Sequence, residues 1–541
     1  MKHLSRQLTL WLLCGVNGAA MAGGSWKTTT TPYYTLVSEV SDRESASWMR
    51  DFDQFILSTT ELVKIDVRAL PPLTVVLFDD DKSYTPYKLR RPDGKAASVA
   101  GQFIRRSTWS AIGMEQKAHD DDLRSTIFHE ATHWLMSVDQ KRQPAWFSEG
   151  IAEMFSTFER KGDKVNWAKP IALHLGTLQS SMLPLQEFLV EPTALSNRDI
   201  RQQRFYAQSW AFTHFLMFSN NSQRRPMMVK FLDTFRSSSG EAAVAAAFGD
   251  EFAQIEHDFR QYIDQHSFPY VTQPVQAAAA PAALQPAPGV LVGASLGLLA
   301  LGADQVELAR KHADRAIALD DTSPRGYELL ANLAMESDDF DQAATHAEAA
   351  LKRGSKDSQL YVLMGDSYSR GRNADKADAE QARVRMYENA INLSPRRLEI
   401  YQRLVGALYP IESPRQSDLD FLNLGLRFYP GEDWLRVGAA MVEYRLGRHD
   451  SALAAIENAL RPESTLDAQE RQNATDLRRG WWMSSMNDEL QAAMSKRDVV
   501  GARAVIATYR GKLGDVPEIA TYLNEVEASL KPAEPARRAK K

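Results

Sequence analysis

The sequence predicts an α+β domain followed by an all-α array of paired helices. Three observations predict this: a β-branched run giving way to helical spacing in the first half, a Pro/Ala stretch of low complexity in the middle, and a 34-residue period in the second half. A chain of 541 residues is too long for one ordinary core, which agrees with a division into several domains.

In the first half, Pro72 to Asp79 (PLTVVLFD) is β-branched and aromatic and ends in an Asp cluster, which reads as a strand. Ser98 to Ile112 alternates in part and supplies one or two more. From Asp121 onward helices dominate: Asp121 or Asp122 can cap, and Leu123, Thr126 and Ile127 begin the helical spacing. A small sheet followed by helices argues α+β over about Ser25 to Tyr270.

Val271 to Gly289 alternates Pro and Ala without charge and is expected to form a semi-extended linker. The apolar run after it, Gly289 to Gly302, is too short to cross a bilayer and reads as a buried helix. Beyond it, Ala309, His312, Ala313 and Ala316 recur 34 residues later as Ala343, His346, Ala347 and Ala350. Tyr327 and Leu330 recur as Tyr361 and Met364, and Ala390 with Tyr401 keeps the same internal offset. Trp434, Gly438, Ala452 and Ala459 suggest a further degenerate unit. This period, with small residues where two helices touch, predicts tetratricopeptide repeats from Val290 to Leu530. His312 and His346 match by register and so are read as surface or packing residues. Lys531 to Lys541 reads as a solvated basic tail.

With 44% hydrophobic and 25% charged residues the composition is that of a globular protein. A net charge of -5 and the lack of a basic stripe argue against nucleic acid as a partner. Residues 1–22 read as a signal peptide: Lys2, His3 and Arg6 give a positive start, Leu8 to Val16 an apolar run, and Ala20-Met21-Ala22 a small-x-small cleavage site. The expected location is periplasmic or secreted, with no membrane span after cleavage. Cys14 is the sole cysteine and falls in this segment, so a metal in the mature chain must be held by His, Asp or Glu.

Such a set exists. His129-Glu130-Ala131-Thr132-His133 places two imidazoles one helical turn apart on one face, with Glu130 beside them to accept a proton. A second segment, Pro144 to Phe155 (PAWFSEGIAEMF), begins with a residue suited to a helix start. It carries Glu149 and Glu153 four apart beside Ile151, Met154 and Phe155. Two acids on an apolar face are costly to bury without a partner, and a cation supplies one. A catalytic zinc takes three protein ligands, and Glu149 is within reach of His129 and His133 if the two helices run antiparallel.

The His-Glu-x-x-His helix followed by Pro-x-Trp-x-x-Glu-Gly-x-Ala-Glu, which here runs from Pro144 to Glu153, resembles the gluzincin metallopeptidases. Within them it is similar to the peptidase MA-like proteins of bacterial envelopes, which often carry tetratricopeptide repeats. The resemblance covers roughly Tyr33 to Phe215 and implies a zincin-like domain, a Zn2+ ion, Glu149 as third ligand and Glu153 as an acid that orients a ligating His. Tyr206 matches a tyrosine of related proteins. It is expected either to hydrogen-bond a developing oxyanion or to pack between helices. His174 and His214 are read as packing residues. Gly113-Met114-Glu115-Gln116 departs from the Gly-x-Met-Glu-Asn strand of the aminopeptidase branch, which leaves exopeptidase specificity in doubt and Glu115 without a role.

The expected function is zinc-dependent hydrolysis of peptide bonds in the cell envelope by a metal-activated water, with Glu130 as base and the repeats binding a protein partner. The alternatives are a non-catalytic envelope scaffold whose repeats bind protein, and a metal-dependent cell-wall amide hydrolase.

Overall fold

The structure, a computed structural model, describes residues 26–530 other than 92, 107–108, 116–120, 138–142, 191–199, 266, 278–282, 372–377 and 463. The signal peptide expected over 1–22 and the tail expected over 531–541 lie outside the described residues.

The chain opens with an antiparallel pair, β1 (Lys27–Thr30) and β2 (Thr35–Ser38). Helix α1 (Asp42–Val63) follows, started by a reciprocal cap in which Ser41 and Glu44 satisfy each other's backbone N–H. Strand β3 (Leu73–Phe78), the short helix α2 (Asp81–Tyr84), β4 (Gly101–Arg105) and β5 (Ser110–Glu115) come next. β2, β3 and β5 are parallel neighbours, and β4 pairs antiparallel with β5 as an edge strand.

The position of β3 explains why its sequence is apolar at every residue but Thr74. Leu73, Val75 and Leu77 enter a core shared with Met49, Phe52, Phe55 and Ile56 of α1, whereas Val76 and Phe78 enter a second core on the opposite face. A strand buried on both faces reads as a continuous apolar run.

Two helices then carry the His-Glu-x-x-His motif and the Glu149–Glu153 segment: α3 (Asp121–Met136) and α4 (Ala145–Ser156). They are followed by a hairpin, β6 (Glu159–Lys161) and β7 (Lys164–Trp167). Next come α5 (Ala172–Ser180), α6 (Leu185–Leu189), α7 (Ile200–Phe218), α8 (Arg224–Ser237), α9 (Gly240–Ala247) and α10 (Phe252–Ile263). Ile127, Phe128, Ala131, Trp134 and Leu135 anchor α3 in the first core, together with Trp146, Ile151, Met154 and Phe155 of α4 and Phe205, Trp210, Phe212 and Phe215 of α7.

The segment expected to be a free linker is held at both ends. β8 (Val271–Pro274) adds to β7 of the hairpin, and β9 (Gln285–Pro286) adds to β1 at the edge of the large sheet. The Gln54 amide also donates to the Gln276 carbonyl and accepts from its N–H. The prolines do not prevent this, because an edge strand pairs on one side only. Val271–Pro274 and Gln285–Pro286 are thus paired strands within the expected spacer, of which 278–282 lie outside the described residues.

Helix α11 (Gly289–Gly302) is buried, as its composition predicts, and the structure shows against what: the second face of the large sheet. Leu296, Leu299 and Ala300 meet Val37, Val76, Phe78, Ile104 and Ala111 there. Gly113 makes this a close contact, since a Cβ on it would sit 3.0 Å from the Leu299 side chain. That gives the Gly113 motif a packing role; Gln116 lies outside the described residues.

The rest is helical: α12 (Val306–Leu319), α13 (Arg325–Glu336), α14 (Phe340–Lys352), α15 (Ser358–Arg370), α16 (Ala379–Leu393), α17 (Leu398–Leu408), α18 (Gln416–Phe428), α19 (Asp433–Arg445), α20 (His449–Ala459), α21 (Ala468–Ser495), α22 (Val499–Leu513) and α23 (Pro517–Ser529). Successive helices from α11 to α17 pack against each other in turn, which is the solenoid pattern. The small residues of the 34-residue period are the contacts: Ala309, Ala313, Ala316, Ala343, Ala347 and Ala350 are all buried. His312 packs against the first domain, its Nε2 3.2 Å from the hydroxyl of Tyr87 in the turn after α2. Among the described residues, no helix is long and apolar enough to cross a membrane.

Candidate metal centre

His133 meets Ser148 and Glu149, whereas His129 meets Glu149 and Glu153, so α3 and α4 run antiparallel across the site. Gly150 permits the next layer. A Cβ there would lie 2.1 Å from Thr213 Oγ1 and 2.4 Å from the Ser209 carbonyl oxygen, so only a glycine lets α4 approach α7 this closely. The approach brings Tyr206 over the site, its ring 6.1 Å from that of His129.

Three ligand-type atoms converge. His129 Nε2 and His133 Nε2 are 3.2 Å apart, and Glu149 Oε2 lies 3.3 and 3.4 Å from them. A tetrahedral ion with bonds of about 2.0–2.1 Å needs its ligand atoms about 3.3 Å apart, so this triangle fits zinc. Among the described residues these three form the one such cluster of His, Cys, Asp or Glu. Glu149 Oε2 is buried and makes no hydrogen bond of acceptable geometry, an atom whose burial calls for a cation.

The opposite ring nitrogens are occupied. His129 Nδ1 is 3.5 Å from Glu153 Oε1, and His133 Nδ1 is 3.2 Å from the Ser148 hydroxyl. A proton held at Nδ1 by these partners would leave each Nε2 lone pair directed at the triangle. Glu153 reaches further: its Oε2 lies 3.1 Å from His174 Nε2 on α5. His174 is thus corrected from a packing residue to a partner of the acid behind His129. His214 is a packing residue, its Nδ1 bonded to the Tyr262 hydroxyl at 2.8 Å and its Nε2 to the Pro269 carbonyl at 2.9 Å.

Electrostatics follow from this crowding. Burial works against the imidazolium of His129, but the Glu149 contact and the charges of Glu153, Glu149 and Glu130 prevail and hold its pKa above the ordinary value. Burial would raise the Glu149 carboxyl, yet the two imidazoles hold it down at about 2. Tyr206 is pushed up by burial and by the nearby carboxylates of Glu149, Glu130 and Glu153, so its hydroxyl stays a proton donor at neutral pH.

These residues line one cavity of about 440 Å³, with Glu130 and Tyr206 in its wall beside His129, His133 and Glu149. Sequence reasoning missed Ser148, His174 and Arg105, the last also in this wall. Ser148 was within reach of inference, as the neighbour of the candidate ligand Glu149 on the same helix. Nothing in the sequence links His174 or Arg105 to the motif.

No protein-family model matches the chain, and no curated protein matches it. Among solved structures it is similar in part to YrrB, a TPR protein with an unusual peptide-binding site (16% identity, 32% of this chain and 84% of that one, TM-score 0.27). It is also similar to a thermophilic TPR protein of Thermus thermophilus (17% identity, 35% and 97%, TM-score 0.23), and to PilF of Pseudomonas aeruginosa (14% identity, 44% and 97%, TM-score 0.25). Likeness at these scores carries no argument about function. The repeat architecture rests on the packing of the helices themselves.

Proposed function

We propose that the protein is a zinc-dependent peptidase of gluzincin type, working in the periplasm or outside the cell, whose helical repeats bind a protein partner. The observation that carries the reading is the triangle of His129 Nε2, His133 Nε2 and Glu149 Oε2, with sides of 3.2 to 3.4 Å around a buried carboxylate oxygen that has no hydrogen bond. The signal-like start of the sequence supports the location.

Zinc held by these three groups would act as a Lewis acid, polarising a carbonyl and making water acidic enough to attack at neutral pH. Glu130 lines the same cavity and accepts the proton of the attacking water, then returns it to the leaving amine. Tyr206, protonated at neutral pH, donates a hydrogen bond to the oxyanion. Glu153 and Ser148 fix the two imidazole rings.

The test is hydrolysis of a mixed-sequence peptide pool by chelator-treated protein before and after zinc is restored. Cleavage that returns with zinc and is missing in Glu130→Gln supports the reading; a zinc-loaded protein that leaves every peptide intact rejects it. A second reading, a non-catalytic envelope scaffold, draws on the solenoid that makes up the second half of the chain. It expects partner binding to survive Glu130→Gln and Glu149→Ala alike, with no cleavage in any form.

A further inference from the structure

β4 ends at Arg105, and Arg106 follows it with a different fate. Arg106 turns to the solenoid, where its Nε lies 3.1 Å from Glu336 Oε1. Arg105 is exposed, and among the described residues no hydrogen bond, ion pair or ring contact engages its guanidinium.

Strand alternation fixes which way Arg105 faces. Ile104 packs in the core beneath α11, and the Gln102 side chain bonds the Tyr87 carbonyl and the Leu89 N–H. Gly101 faces the other way, since a Cβ on it would meet Leu123 of α3 at 2.4 Å, and Phe103 packs against the core that holds α3. Arg105 continues the Gly101–Phe103 face to where the sheet opens on the metal cavity, and it lines that cavity with Glu130 and Glu149. Of the cavity's described lining side chains, it alone is a permanent cation. A planar guanidinium with no partner among the described residues, in the wall of this cavity, matches a carboxylate in two-point geometry.

We infer that Arg105 selects substrates bearing a carboxylate next to the bond that is cut, supplied either by an acidic side chain or by a free C-terminus. The inference rests on the hydrolytic reading of the site and adds a substrate class to it. Arg105 is exposed, so its replacement leaves the packing of α3, α4 and α7 unchanged.

The test uses the zinc-loaded full chain and calorimetric titration with three dipeptide hydroxamates. One is neutral at both ends, one ends in a free carboxylate, and one carries a Glu side chain with an amidated end. Wild type is expected to bind one or both acidic probes about five- to tenfold more tightly than the neutral one. Which probe gains identifies the source of the carboxylate. Measured as the ratio of acidic-probe to neutral-probe affinity within each protein, Arg105→Ala removes the preference and Arg105→Glu inverts it. Equal binding of the three probes by wild type, or a preference that survives Arg105→Ala, overturns the inference and leaves the metal site standing. If the neutral hydroxamate does not bind wild type, the zinc reading itself falls and takes the inference with it.

Discussion

Substituting Gly150 by alanine tests whether the α4–α7 contact sets the metal geometry. The new Cβ would lie 2.1 Å from Thr213 Oγ1, which can rotate away, and 2.4 Å from the Ser209 carbonyl oxygen, which cannot. Ordinary contact begins at 3.4 Å, so α4 must retreat locally by about 1 Å. Overpacking of this kind costs about 1–3 kcal/mol, which lowers Tm by several degrees in a domain of this size. Glu149 is the adjacent residue, and metal–ligand distances tolerate only about 0.2 Å, so zinc affinity should fall at least about tenfold. The assays are thermal unfolding of the metal-free protein and zinc titration against a competing chelator. Gly176→Ala on α5 is the control, because its Cβ would meet nothing within 4 Å. A Gly150→Ala protein with wild-type Tm and zinc affinity would refute the argument that this glycine holds the site together.

Glu149→Ala should lose zinc and activity together, whereas Glu130→Gln should keep zinc and lose only turnover; zinc content of the two variants decides. Glu153→Ala and His174→Ala should each weaken zinc by up to about 10- to 100-fold without abolishing it, with His174→Gln recovering part of the loss, as competition titration would show. His214, whose pKa burial pushes down to about 4 despite its carbonyl partners, is neutral in the folded protein where an unfolded histidine, near 6.5, takes a proton. Stability from this group is therefore complete above about pH 6.5 and lost as pH falls toward 4, by about 3 kcal/mol in all. Asp53, raised to about 6 by burial, contributes with the opposite sign. The check is thus the difference in acid sensitivity of Tm between wild type and His214→Gln, and equal sensitivity would contradict it. A fragment spanning 290–530 should be helical yet self-associate, because it uncovers the face of α11 that meets the sheet; a monomeric fragment at sedimentation equilibrium would count against that packing.

Much of the fold was legible because its signals are local. β3 is a run of β-branched and apolar residues, the first repeats keep their period at alanines that the packing buries, and Pro144 stands where α4 begins. The candidate ligand pair was legible because helical spacing of four puts His129 and His133 on one face. What escaped depends on partners distant in sequence. Val271–Pro274 and Gln285–Pro286 have weak strand character of their own and are ordered by open edges at β7 and β1. The Gly289–Gly302 run announced its burial, but not that a sheet would cover it. His174 gains meaning only through Glu153, on another helix, and Arg105 only through the alternation of a strand whose partner is β5.

The central claim is that His129, His133 and Glu149 together hold one zinc ion. Zinc-edge X-ray absorption on the purified chain, loaded with one equivalent of zinc, tests it most directly. The account predicts a four-coordinate spectrum with two imidazoles and oxygen ligands at about 2.0–2.1 Å, no sulfur, and a changed spectrum or no bound zinc in Glu149→Ala. A chain that takes up no zinc, or a Glu149→Ala protein whose spectrum matches wild type, would contradict it.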